Sequence, residues 1–128
     1  MLAIIDVYGT MLLRALGQTL LLTLLSLLFA IVIGMIFGLL NVGHNRVFNL
    51  IGTVYVDAVR GVPLIVLAYF IFFGIPAGIQ GLGIQGFRLS ALQAGTIALS
   101  MNCGAYMAEI IRAGIESVDR GQMEAGRS

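Results

Sequence analysis

The chain has 128 residues, of which 59% are hydrophobic and 10% charged, with a formal net charge of +1. A soluble domain is about half apolar and about a quarter charged, so these charges are too few for a water-facing surface of normal area, and most of the outside must face hydrocarbon. The seven cations are all Arg, and no block of like charge exists to neutralise phosphates, so there is no case for nucleic acid as a partner.

The first apolar run, Ala15 to Leu40, is 26 residues without a charge. As a helix it reaches about 39 Å, enough to cross a hydrocarbon core of about 30 Å with some tilt. It is too long for a signal peptide, and Asp6 precedes it, so it reads as a mature membrane span. Residues 1–14 form a short mixed lead-in, expected at the interface as a partial amphipathic helix. Within the span, Ser26, Ala30, Gly34 and Gly38 recur every four residues, and Thr19 and Thr23 extend the stripe. Small residues let helices approach closely in lipid, where packing drives association. The stripe is either a contact with another helix or the ordinary frequency of Gly and Ala in membrane helices.

From Val62 to Ile75 there are 14 apolar-dominated residues, about 21 Å of helix, too short to span. Pro76-Ala77-Gly78 is expected to break the pattern. The second span is therefore expected to recruit Leu50 to Gly61, which draws Asp57 and Arg60 into the membrane and puts Pro63 inside a kinked helix. Asp57 and Arg60 are three apart on one face and can pair. At membrane depth such charges mark either a functional interior, with Arg60 toward substrate, or an ion pair that fixes the helix.

The third segment, Leu89 to Ala108, holds 20 residues without a charge, and its helical pattern runs on to about Val118. Asn102, Tyr106, Glu109, Arg112 and Glu116 follow at spacings of 4, 3, 3 and 4, on one stripe of the helix. Glu109–Arg112 and Arg112–Glu116 can form successive pairs. The stripe is a wet or protein-facing side, or a helix emerging into water; emergence explains Glu116, while Asn102 and Tyr106 lie about two turns deeper. Three spans, about 15–40, 50–75 and 89–110, alternate sides. With the N-terminus outside, Arg46, Arg112, Arg120 and Arg127 fall in the cytoplasm against Arg14 and Arg88 outside, in agreement with the positive-inside tendency.

Cys103 cannot form an internal disulfide and is expected to pack as a small hydrophobe, and His44 sits beside glycine in a short loop, where it is solvated. There is no metal-ligand set and no nucleophile elbow, zinc-protease or P-loop motif, so no cofactor or metal is expected. If ATP drives the protein, another subunit binds it.

The stretch from Ala105 to Ser128 reads AYMAEIIRAGIESVDRGQMEAGRS. It resembles the AYxxEIxRxGIxSVxxGQxEAxxS segment of polar amino acid ABC transporter permeases. Arg60-Gly61-Val62-Pro63-Leu64 is similar to the RGTPL motif of the same family, with Val62 in place of Thr, and Tyr55-Val56 fits as well. The resemblance implies an all-α polytopic transmembrane bundle, with three spans present of an expected five, the N-terminus outside, in the bacterial cytoplasmic membrane. It implies a permease that pairs with a second permease subunit, docks a P-loop ATP-binding subunit and receives a polar amino acid from an extracytoplasmic binding protein. The cytoplasmic coupling segment, about 119–128, begins with the family's Glu-Ala-Ala motif, which maps to Glu124, Ala125 and Gly126 after Gly121. Gly126 replaces the second Ala, a small-for-small change compatible with docking. Because the family continues with two more spans, residues 1–128 are expected to be a C-terminally truncated permease domain that does not transport alone. A small three-span membrane scaffold would also suit the composition and the stripe, but not the long terminal motif.

Overall fold

The computed structural model describes residues 2–118 and 120–127, of which Arg120 is described by its backbone alone. All regular structure among them is helical: α1 (Leu2–Val42), α2 (Arg46–Gly61), α3 (Leu64–Tyr69), a π-helical turn (Phe70–Gly74), α4 (Ile75–Gly81), α5 (Ala91–Glu116) and α6 (Arg120–Arg127). α1 is one uninterrupted helix, so the lead-in at residues 2–14 continues directly into the apolar run rather than forming a separate interfacial helix.

The chain between Val62 and Gly81 departs from expectation in two places. Pro63 does not sit inside a kinked helix. α2 stops at Gly61, Val62 turns extended (φ −99°, ψ 130°), and Pro63 becomes the residue from which α3 starts. Proline has no N–H to give to the preceding turn and disfavours a helical residue before it, so two helices form where one bent helix was expected. Pro76, by contrast, does not end its helix. The π turn lets Ile75 N–H bond the carbonyl of Phe70, five residues back, and Pro76 then enters α4 at its start, where a missing N–H costs little. α3, the π turn and α4 thus make one rod, Leu64–Gly81, of 18 residues and about 27 Å. Asp57 and Arg60 lie outside that rod, on α2.

By length and composition, Leu2–Val42 and Leu64–Gly81 are the helices among the described residues able to cross a membrane. Their burial is inverted relative to a soluble protein. The buried residues of α1 are Ser26, Ala30, Gly34 and Gly38. Its large apolar side chains, such as Leu13, Leu24, Leu28, Phe29 and Val32, are at least half exposed. Exposed apolar surface on this scale suits lipid, not water.

α5 is the hub. It lies against α1, α2, α3 and the π turn. Ser100 Oγ donates to Thr96 O at 2.5 Å and lies 3.4 Å from Ser26 O, while Gly34 approaches Gly104 and Met107, and Gly38 approaches Ala108 and Ile111. The partners advance together, so α1 and α5 run side by side in the same direction. The rod runs the opposite way: Leu64 shares a groove with Ala98 and Leu99, and Phe72 shares one with Ala91 and Ala94. Val59, Leu67, Ile71, Ala94, Ala98 and Ala105 form the apolar core where α2, the rod and α5 meet. The returning loop turns at Gly83 (φ 99°) and Gly86 (φ 81°), and α5 starts on a capping box between Ser90 and Gln93.

Candidate functional site

α2 carries Arg60 in its last turn, and the break at Val62-Pro63 fixes where that turn ends. α2 is seated by Gly52, Val56 and Val59, its buried residues. A Cβ at Gly52 would fall 2.1 Å from Asn41 Oδ1, so the first turns of α2 press against the end of α1. Tyr55 then stacks on Phe37 of α1, ring centroids 4.2 Å apart, and donates its hydroxyl to Met101 O of α5 at 2.7 Å. With α2 held on both neighbours, the Arg60 guanidinium lies over the ring of Tyr106, 5.3 Å from its centroid.

The expected pair between Asp57 and Arg60 is absent among the described residues: the ion pairs there join Arg112 to Glu109 and Arg112 to Glu116. Asp57 is exposed, and the reason for the change is geometric. α5 passes beside the last turn of α2 and offers Arg60 an aromatic face, an attraction with little desolvation of the cation. Arg60 is also close enough to act on Glu109 through space.

Along α5, Arg112 is gripped from both sides. Its Nε donates to Glu109 Oε2 at 3.1 Å and its Nη2 to Glu109 Oε1, while Nη1 donates to Glu116 Oε2 at 2.5 Å. The hydrogen bond that Arg112 donates to Glu109 raises its pKa above the ordinary value, with the charge of Glu109 next, so it stays protonated at every physiological pH. Arg60, Tyr106, Glu109, Arg112 and Glu116 therefore form one polar ladder on the α2/α5 face. Asn102 is half-buried, one turn before Tyr106, and its side chain makes no hydrogen bond among the described residues.

The second surface is α6. From Gly121 to Arg127 its residues are exposed, Glu124, Ala125 and Gly126 included. Asp119 and Ser128, part of the segment expected to couple, lie outside the described residues.

The third is the α1/α5 contact. The stripe Ser26, Ala30, Gly34 and Gly38 faces α5. It meets a second stripe that the sequence reading missed: Thr96, Ser100, Gly104 and Ala108, also four apart and all buried. The signal was present as the same spacing, hidden by attention to the polar residues beside it. Tyr55 entered the sequence reading only through the family resemblance, since a Tyr on an amphipathic helix shows nothing of the partner that its hydroxyl reaches.

This arrangement, small-residue stripes inside and bulky apolar residues outside, defines a membrane-embedded helical bundle. The chain belongs to the family of binding-protein-dependent transport system inner membrane components, which residues 30–128 match. It is 39% identical over 106 residues to a putative glutamine transport system permease protein of Rickettsia conorii, covering 83% of this chain and 46% of that one. It is 38% identical over 111 residues to a probable glutamine ABC transporter permease protein of Bacillus subtilis, covering 87% and 48% respectively. The crystal structure of an amino acid ABC transporter with histidines matches with a TM-score of 0.82 and 34% identity over 98% of this chain and 55% of that chain. The chain thus spans about half the length of the relatives that it matches.

Proposed function

We propose that the chain is part of the membrane permease of an ATP-driven importer of a polar amino acid, in a bacterial cytoplasmic membrane. Within that assembly the α2/α5 ladder of Arg60, Asn102, Tyr106, Glu109 and Arg112 faces the pathway, and Asp57 stands beside it. The stripe of Ser26, Ala30, Gly34 and Gly38 locks α1 to α5. α6, through Gly121, Glu124, Ala125 and Gly126, seats in a partner that binds and hydrolyses ATP. A second permease subunit completes the pathway, and an extracytoplasmic binding protein delivers the substrate. The observation that carries the reading is the likeness, along nearly the whole chain, to the solved amino acid ABC transporter.

The physics of α6 supports the coupling part. A short exposed helix that follows α5 closely in the chain can pass the closure of a partner to α5 as a rigid-body motion. Ala125 and Gly126 permit close approach, and Glu124 can meet a basic residue. The test is co-purification of the full-length permease with its ATPase, wild type against Glu124→Arg. Retention by the wild type and loss in the variant are expected. Equal retention by both would remove the coupling role from Glu124.

A further inference from the structure

Resting on the pathway reading above, we infer that Arg60 is the anchor for the carboxylate of the transported amino acid. The ladder holds two arginines in different states. Arg112 is paired on both sides, its Nε and Nη2 to Glu109 and its Nη1 to Glu116. Arg60 makes no hydrogen bond or ion pair among the described residues, although Asp57 is only three residues away. What holds Arg60 is the face of Tyr106, the negative end of α2 and the field of Glu109. None of these uses the in-plane N–H fork. A guanidinium over a ring with its fork open is shaped for one task, the two-pronged grip of a planar carboxylate. Glu109, the acidic member nearest, is already engaged by Arg112 and does not compete for that place. Arg60 and Arg112 balance Glu109 and Glu116 in charge across the ladder, and what stays open among the described residues is the N–H fork of Arg60.

The experiment uses the full-length permease bound to its ATPase in nanodiscs, without the binding protein, so that only the permease can select. L-glutamine and L-glutaminamide, which lacks the carboxylate, are the probes for equilibrium binding to the wild type, Arg60→Ala and Arg60→Lys. The wild type should favour glutamine. Arg60→Ala should weaken glutamine by about 10- to 100-fold, the loss of a charged hydrogen-bonded pair, and leave glutaminamide unchanged; Arg60→Lys should restore part of the preference. A preference that survives in Arg60→Ala, an equal loss for both ligands, or a wild type that binds neither would overturn the assignment. ATP-driven glutamine uptake by wild-type proteoliposomes with the binding protein reports separately on the transport reading.

Discussion

α1 and α5 approach closely at Gly34, and the contact supports a quantitative prediction. A Cβ at Gly34 would stand 2.6 Å from Met107 Cβ and 3.3 Å from both Ala108 N and Gly104 O. Carbon atoms pack best at about 3.5–4.0 Å, so the added methyl is about 1 Å too close. The nearest atom is a Cβ, fixed to its backbone, and the next two are backbone, so no rotamer change relieves the clash. Two effects oppose in Gly34→Ala. Helix propensity favours Ala by about 1 kcal/mol. Overpacking costs about 1–3 kcal/mol, and rigid neighbours push it to the upper end, for a net loss of about 2 kcal/mol. In the full-length permease that lowers the melting temperature by about 5 °C. The assay is thermal unfolding of the purified protein followed by size-exclusion chromatography. Gly114→Ala, where nothing lies within 4 Å of the new Cβ, is the control and should be neutral or stabilising. Rescue sharpens the argument. Met107→Ala keeps the offending Cβ and should not restore stability, whereas Met107→Gly should restore part of it in the double variant. If Gly34→Ala melts with the wild type, or if Met107→Ala rescues as well as Met107→Gly, the close-packing account is wrong.

Two further changes probe how α2 and α5 are set. Tyr55→Phe removes the 2.7 Å bond to Met101 O but keeps the ring on Phe37, so thermal unfolding should show a loss of about 1 kcal/mol, against about 3 kcal/mol for Tyr55→Ala. Ser90→Ala removes the acceptor for Gln93 N–H and should cost about 1 kcal/mol, seen as faster hydrogen exchange in the first turn of α5, with Ser90→Asp restoring protection.

Much of this architecture was legible in the sequence because lipid enforces simple rules. An uncharged run of sufficient length becomes a helix, and Ala15 to Leu40 lies wholly within α1. The stripe at Ser26, Ala30, Gly34 and Gly38 was visible because spacing of four defines one helix face. The two prolines were misread because their effect depends on neighbours. Pro63 ends one helix and opens another, whereas Pro76 is absorbed by a π turn that no residue pattern announces. The partner of Arg60 was misread for a similar reason. Spacing along α2 offered Asp57, but α5 supplies Tyr106 from another part of the chain, and contact across helices is not written in local spacing.

α5 shows why hydropathy alone misorders such a bundle. It touches every neighbour that builds the core, yet it is not among the helices apolar enough to qualify as a span on composition. The explanation is its position. A helix ringed by others meets protein on most sides, so it needs small residues for close approach, hence Thr96, Ser100, Gly104 and Ala108 toward α1 and Ala94, Ala98 and Ala105 toward the rod and α2. Its remaining side is free to carry Asn102, Tyr106, Glu109 and Arg112. α1 meets α5 along one stripe and α2 near its C-terminal end, and presents Leu, Ile, Val and Phe elsewhere. In lipid the polar helix belongs at the centre and the greasy one outside, because packing and satisfied polar groups, not removal from water, hold the helices together. The same logic leaves the polar ladder on the α2/α5 side of the bundle, with Arg60 over Tyr106 of α5.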